Sequence, residues 1–322
     1  MTVDIGGAAA ALQAADDVLI LTHRRPDGDT TGCAGALCRG LRQLGKTAYI
    51  LPNAEVTKRY APMITECYPS EDFSPQYIIT TDIAEEKLFT DNAEEYKGRV
   101  DLVIDHHRSN IGYGRQNLIQ TGAGGCAEVV YDVLAALGVR LTQDIAGCVY
   151  VGLSTDTGCF KFSNTTAHSH EVAAACLAAG IDGGEINRAL FETKSRPRFE
   201  MERILFDTME FLHGGRIALA VLRRADIDRT GADMDDLDSI ASLTRQIEGV
   251  QVGLTLTENK DGTTKLSVRT TKEVDASAIC RKFGGGGHLR AAGATLGAEL
   301  TTAQAREAVI RAAEEVYEQS GI

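Results

Sequence analysis

The chain has no long apolar run. Across its 322 residues, no stretch approaches the ~20 uninterrupted apolar residues of a bilayer-spanning helix, so no membrane embedding is expected. It has no basic leader either: MTVDIGGAAAALQAADDVLIL carries acids among its apolar residues and does not read as a signal peptide, which gives a cytoplasmic expectation. No Cys-x-x-Cys pair is present. Cys33, Cys38, Cys67, Cys126, Cys148, Cys159, Cys176 and Cys280 lie mostly within apolar helical runs, and they read as reduced, buried thiols rather than a disulfide framework or thiolate metal site. Positive charge is also short, with 33 Lys and Arg against 45 Asp and Glu, a net charge of -12. Proteins that track long duplexes carry a large basic face, so any nucleic-acid contact here should be short and local. Repeats and low-complexity segments are absent as well.

What is present is a composition that can build a packed core, 43% hydrophobic and 24% charged, at a length suited to one large domain or two ordinary ones. Short apolar runs predict strands over 17–22, 47–51, 77–81 and 100–104. Helical patterns follow over 30–44, 126–137 and 143–153. This alternation predicts an α/β fold with a doubly wound, mostly parallel sheet, whose ligands lie beyond the carboxyl ends of the strands. Charged, alanine-rich helical segments over 167–179, 185–191 and 198–212 then lead to a second region. That region opens with a strand at 217–222. Runs over 251–257 and 264–269 flank Asn259-Lys260-Asp261-Gly262, a strong hairpin signal. A glycine run over 284–287 follows, and Thr301 to Gln304 offers a capping box to a last helix. The expected division is 1–190, a helical connector over 191–214, and a smaller α/β domain over 215–322.

Three predicted strands end in chemically loaded segments. The first is followed by His23-Arg24-Arg25-Pro26-Asp27-Gly28-Asp29, the third by Asp82, and the fourth by Asp105-His106-His107. A fourth cluster, Ser154-Thr155-Asp156-Thr157-Gly158, closes an apolar helix. Each has an ordinary structural role available. Asp27 and Asp29 suit a turn around Gly28, Asp82 and Asp156 suit caps, and a histidine pair suits a polar loop. Together those roles fare worse, because four carboxylates and two imidazoles at one sheet edge repel without cations. Two divalent ions would balance the four aspartates, and oxygen and imidazole donors favour manganese or a similar ion. Two such ions ~3.5–4 Å apart can brace both oxygens of a phosphoryl transfer. Asp82, alone after a central strand, is the candidate bridge. Arg269, at the end of a hairpin strand, and the Gly284–Gly287 run with His288 would supply cationic and backbone N–H donors to a phosphate. A flexible loop is the plain alternative for the glycine run.

The five motifs, in this order and over nearly the whole chain, resemble the DHH phosphoesterase superfamily, named for a triplet standing here as Asp105-His106-His107. His23 to Asp29 is similar to its HxxPDxD motif and Thr81-Asp82 to its second. Ser109-Asn110 extend the third. Asp156-Thr157-Gly158 with Phe160 and Phe162-Ser163-Asn164-Thr165 is similar to the fourth. Gly285-Gly286-Gly287-His288 and Ala291-Ala292-Gly293 resemble the associated DHHA1 domain. The resemblance implies His23, Asp27 and Asp82 on one cation and Asp29, Asp82, His106 and Asp156 on another. It implies His107 as an acid or charge stabiliser and Asp105 as the partner orienting a ligand histidine by hydrogen bond. It further implies Arg269, Gly286, Gly287 and His288 as the grip on a terminal phosphate, with Ser109 and Asn110 lining the cleft.

Within the superfamily, a DHHA1 signature points away from family II pyrophosphatases, the length away from RecJ exonucleases, and the lack of membrane and sensory segments away from large cyclic di-AMP phosphodiesterases. The compact two-domain group remains, implying cleavage of short oligoribonucleotides and dephosphorylation of 3'-phosphoadenosine 5'-phosphate (pAp). Manganese is the expected cofactor, ahead of magnesium or cobalt. Short RNA and nucleotides are the expected partners, without long duplex or membrane, and a homodimer is allowed. A standalone cyclic di-AMP or pApA phosphodiesterase is the close alternative. A catalytically silent nucleotide-binding protein on the same fold is the distant one, and a lost ligand would favour it; every expected ligand type is present.

Overall fold

The computed structural model describes residues 1–70, 73–237, 240–271 and 274–321. The chain folds into two compact units, Met1–Thr193 and Lys194–Ile322.

In the first unit, strands β1 (Val18–Leu21), β2 (Ala48–Ile50), β3 (Tyr77–Thr81), β4 (Leu102–Asp105) and β5 (Gln116–Ile119) form one sheet in the order β2-β1-β3-β4-β5. Every pairing is parallel. The chain leaves β1 for one edge and returns as β3 on β1's other side, so the strand order reverses at the β1–β3 boundary. Central strands of such a sheet are covered on both faces, which is why β1 reads Val-Leu-Ile-Leu and is buried throughout. On one face lie helices α1 (Ile5–Ala14), α2 (Gly28–Gln43), the single turn α3 (Ala61–Ile64), α4 (Cys126–Ala136) and α5 (Gln143–Asp156), with α6 (Ala167–Ala178) and the short α7 (Gly183–Asn187) beyond them. Phe89, Ala93, Tyr96 and Val100, from short 3-10 turns and loops, cover Leu19, Leu21, Ile78 and Val103 on the other.

Among the elements that escaped the sequence reading are β5, α1, the turn α3 and, in the second unit, a strand at Glu210–Leu212 where a helix was expected to run to 212. β5, Gln-Asn-Leu-Ile, is an edge strand with little apolar periodicity. α1, rich in Gly and Ala, is held by Asp4, whose side chain accepts from Gly7 N. α5 also extends to Asp156, past the expected end at 153, so its last turn carries that carboxylate. α2 and α5 approach closely because Gly32 faces Cys148 O and the Gly152 backbone; a Cβ on Gly32 would lie 2.4 Å from that carbonyl.

The second unit begins with α8 (Arg196–Asp207), followed by β6 (Glu210–Leu212), β7 (Ile217–Leu222), α9 (Arg224–Thr230), the turn α10 (Met234–Leu237), β8 (Val252–Glu258), β9 (Thr264–Thr270), α11 (Ala276–Arg281), β10 (Gly286–His288), β11 (Ala291–Leu296) and α12 (Thr302–Gln319). Its sheet runs β10-β11-β9-β8-β7-β6, with β7 and β8 parallel and the other pairs antiparallel. Asn259 N donates to Thr263 O, closing the β8–β9 hairpin, and Gly262 takes the positive φ of 83° that its turn requires. α12 starts with the Thr301–Gln304 capping box and packs Ala305, Val309 and Ala313 in one core. α8, within the stretch expected as a connector, packs Met201, Ile204 and Leu205 with Ala220 and Leu222 of this unit. Among the described residues, no helix is long and apolar enough to cross a membrane.

Candidate metal centre

The carboxyl ends of β1, β3 and β4 bring the first three charged segments together, and the end of α5 adds the fourth. His23 follows β1, where Asn53 Nδ2 fixes the chain by donating to Thr22 Oγ1 at 2.9 Å and to His23 O at 3.0 Å. Asp27 is the N-cap of α2, accepting from Asp29 N and Thr30 N, so Asp29 enters the first helical turn and is buried. Thr30 Oγ1 donates to Thr81 O at 2.9 Å and ties that turn to β3. Asp82 then takes a left-handed backbone, φ 60°, while its N–H still donates to Ile104 O. A non-glycine residue in this region costs of order 1 kcal/mol. The local gain is direction: the carboxylate turns into the site.

The resulting distances are informative because they are too long for hydrogen bonds. His106 Nε2 lies 3.5 Å from Asp82 Oδ1, 3.8 Å from Asp156 Oδ2 and 3.9 Å from Asp29 Oδ2. His23 Nε2 lies 3.7 Å from Asp27 Oδ1 and 3.9 Å from Asp82 Oδ2. Hydrogen bonds of these types end near ~3.2 Å, whereas two donors each ~2.1 Å from one cation sit roughly 3–4 Å apart. Three trios meet this condition, Asp82–His106–His107, His23–Asp27–Asp82 and Asp29–His106–Asp156, and the last two share no residue. Asp82 faces both, with one oxygen toward His23 and the other toward His106. Its Oδ1 is buried and has no hydrogen-bond partner. A charged oxygen left this way is costly, and oxygen and imidazole donors around it suit a divalent cation. The residues therefore fit a pair of such ions.

The electrostatics agree. Burial first, then the charges of Asp29 and Asp27, hold the Asp82 carboxyl well above the usual carboxylate range. Burial likewise raises Asp29, and burial with the neighbouring carboxylates of Asp29 and Asp27 pushes Asp156 up to about 8. His107 differs. Its Nδ1 is 2.8 Å from Asp105 Oδ1, and that hydrogen bond raises the imidazole above its ordinary value against the opposing effect of burial. Although His107 Nδ1 also lies 3.5 Å from Asp82, it is committed to Asp105, which leaves Nε2 as the free end of the ring.

Asp105 is fully buried and accepts from His106 N and His107 N as well. Asn110 donates to its other oxygen at 2.6 Å and to Ile83 O at 3.2 Å, so the Asn110 amide serves Asp105. Ser109 is exposed. Arg24 binds Phe89 O and pairs with Asp91.

In the second unit, His288 pairs with Ala291, and Ala291 with Arg269, in register across three strands. Residues opposite one another share a face, so Arg269 and His288 flank small residues, with backbones roughly 10 Å apart by strand spacing. Gly286, Gly293 and Ser267 lie in the next such row on that face. The last two glycines of the run thus lie in a strand, while Gly284 stands in the preceding turn with φ 71°. Packing alone accounts for Gly287, whose φ is 144° and whose Cβ would lie 2.7 Å from Ala291 O and Ala292 Cα. At Gly286 nothing would meet a Cβ.

Sequence reasoning missed the groups that hold the ligands in place. Asn53, Thr30 and the bend over 123–125 with the first residues of α4 carry no motif signature of their own. Asn164 sits inside the fourth motif, yet its amide role shows only in the folded chain: Nδ2 donates to Asp156 Oδ2 at 3.1 Å and Gly124 O at 2.7 Å.

Comparison with known proteins finds two family domains in this chain. The DHH family, N-terminal domain, matches residues 17–153, and the DHHA1 domain matches residues 214–319. The chain is 34% identical over 307 residues to the bifunctional oligoribonuclease and PAP phosphatase NrnA of Thermus thermophilus, covering 94% of this chain and 91% of that protein. Among solved structures, an exopolyphosphatase-related protein from Bacteroides fragilis superposes with a TM-score of 0.88 at 21% identity, covering 99% and 97% of the two chains. RecJ from Thermus thermophilus in complex with Mn2+ has a TM-score of 0.56 at 16% identity, covering 96% of this chain and 55% of that one.

Proposed function

We propose that this chain, which belongs to the DHH family and carries a DHHA1 domain, hydrolyses short oligoribonucleotides to mononucleotides and pAp to AMP with the help of two divalent cations. One observation carries the reading: a buried, partnerless carboxylate oxygen on Asp82, set between two trios of metal-type donors. The activity matches the printed function of the Thermus relative, which is similar over nearly the full length of both chains.

His23, Asp27 and Asp82 would hold one cation, and Asp29, Asp82, His106 and Asp156 would hold the other. Bound there, the ions supply Lewis-acid polarisation of the phosphoryl group and a water nucleophile at neutral pH. The four aspartates balance their formal charge. The remaining work belongs to side chains. Asp105 orients His107 and keeps it protonated, so Nε2 carries a proton toward the departing ester oxygen. Arg269 and His288 grip a terminal phosphate, Gly286 lets a backbone N–H approach it, and Ser109 lies at the exposed margin of the third motif. An acidic chain that recognises an end rather than a long backbone suits short substrates. Manganese is the proposed ion, by donor type and by the fold neighbour whose complex contains it.

The test is a turnover panel of pAp, a 5'-phosphorylated dinucleotide, a 30-mer RNA and cyclic di-AMP, with manganese and then magnesium. The dinucleotide and pAp should turn over fastest, and manganese should support the higher rates. Equal rates on the dinucleotide and the 30-mer remove the end-recognition reading. Cyclic di-AMP as the best substrate reassigns the chain to the cyclic-dinucleotide phosphodiesterases.

A further inference from the structure

The two donor trios share the start of α2 but differ in their other supports. His23 and Asp27 are set by Asn53 and by the start of α2. Asp29, His106 and Asp156 come from three separate elements, yet all three abut the bend over 123–125 and the first residues of α4. Asp29 Oδ2 accepts from Cys126 N at 2.6 Å and Oδ1 from Ala127 N at 2.9 Å. His106 Nδ1 faces Ala123 O at 3.5 Å. Asp156 Oδ2 accepts from Asn164 Nδ2, which also donates to Gly124 O. The fit is close. A Cβ on Gly125 would lie 3.1 Å from Asp29 Oδ2 and 3.3 Å from Asp156 Cβ.

Something must in turn fix that bend, and a buried carboxylate does so. Glu128 is 5% exposed, and its Oε2 accepts from Gly124 N at 3.2 Å and from Ser169 Oγ at 2.7 Å. Ser169 is fully buried and belongs to the Thr166 capping box of α6. Gly124 is therefore held by Glu128 on its N–H side and tied to Asp156 by Asn164 on its carbonyl side, while its neighbours Cys126 and Ala127 hold Asp29 and Ala123 O faces His106.

Resting on the two-cation reading above, we propose that Asn164 and Glu128 are positioning residues for the Asp29–His106–Asp156 cation, and not for the His23–Asp27–Asp82 cation. Residues that orient metal ligands through hydrogen bonds typically change metal affinity roughly 10–100-fold when removed. Here the loss falls on one cation of a pair, because Asn53 and the α2 cap hold the other trio independently of that bend.

The experiment titrates Mn2+ into metal-stripped full-length protein by calorimetry and reads site occupancy by anomalous diffraction at sub-saturating Mn2+. Wild type takes up two ions. Asn164→Ala and Glu128→Ala should each weaken one ion at least tenfold, with the missing density at Asp29–His106–Asp156. Glu128→Gln, which can still accept from Gly124 N, should recover the affinity that Glu128→Ala loses. In Asn164→Ala, kcat on a 5'-phosphorylated dinucleotide should rise again with added Mn2+ while KM for the dinucleotide stays near its original value. The two alanine variants lie on different elements, so if one fails to fold the other reads the same quantity. Equal weakening of both ions, or of neither, overturns the proposal and leaves the two-cation reading standing. A wild-type chain that takes up no pair of ions overturns both.

Discussion

Two buried acids, one in each unit, are treated in opposite ways. Glu202 is the buried carboxylate among the described residues of the second unit, and the chain provides for it fully: Lys194 Nζ donates at 2.6 Å and Arg198 Nε at 2.7 Å, holding its carboxyl below the usual range against burial. Asp82 in the first unit is buried to the same degree. It has three imidazoles at distances too long to bond, other carboxylates nearby, and one oxygen with no hydrogen-bond partner. The sequence therefore can pair a buried acid, and at the end of β3 it does not. An uncompensated buried charge costs several kcal/mol. Such a cost persists where another ligand is meant to offset it, and divalent cations are the ligand this donor set suits.

The largest expected effect breaks this contrast directly. Asp82→Ala should reduce turnover of a dinucleotide by a factor of about 1000 or more, since both cations lose their shared ligand. The stripped variant should nonetheless melt at or above the temperature of stripped wild type, because an unpaired buried carboxylate has been removed. Glu202→Ala should do the reverse, lowering stability by about 1–3 kcal/mol through the loss of its charge-assisted bonds to Arg198 and Lys194. Thermal melts of both stripped proteins decide it; a large loss of stability in Asp82→Ala alone would mean that Asp82 is structural.

The next effect separates the metal ligands from the acid beside them. Asp105→Asn keeps the shape of the Asp105 site but removes the charge that raises His107. A raised imidazole stays protonated to higher pH. Without Asp105 the proton leaves at lower pH, so the alkaline limb of kcat should move downward, with a rate loss of about a hundredfold at neutral pH. An unshifted limb assigns that limb to another group.

A smaller effect is expected from the second unit. Arg269→Ala or His288→Ala should raise KM for pAp and for a 5'-phosphorylated dinucleotide about tenfold, with a lesser change in kcat, as loss of a charge-assisted phosphate contact of ~1.4 kcal/mol implies. A fall in kcat at unchanged KM would place these residues in the chemistry instead.

Most of the clustering of candidate donors was legible because it follows a simple pattern. His23, Asp82 and His106 stand just beyond strands that apolar runs mark plainly, and a parallel sheet gathers the carboxyl ends of its strands along one edge. β5 was not legible, being an edge strand whose Gln and Asn face little selection for apolar character. Gly287 was readable as a special residue, but whether for phosphate or for packing depended on Ala291 and Ala292, which only the β10–β11 register brings against it. The supports of the ligands were hidden for the same reason. Asn164 and Glu128 act through the backbone of Gly124, and a backbone contact leaves no signature in the residue contacted.

The smallest effect comes from titration of the first unit alone. Asp156 is held at about 8 in the fold, with Asp82 and Asp29 also raised, while unfolded aspartates titrate at about 3.9. Between those values the stripped, folded chain holds more protons than the unfolded chain. Stability that these groups contribute is therefore present below pH ~4 and is lost as pH rises toward ~8. Cations reverse the trend, since they bind the deprotonated carboxylates and stabilise only the folded chain, more strongly as pH rises. The melting temperature of the stripped protein should accordingly drift down by a few degrees between about pH 5.5 and 8, while the gap between loaded and stripped protein widens. A gap that stays constant across that range would mean these carboxylates do not titrate with the cations. The contrast between Asp82 and Glu202 would then lie in packing rather than in charge.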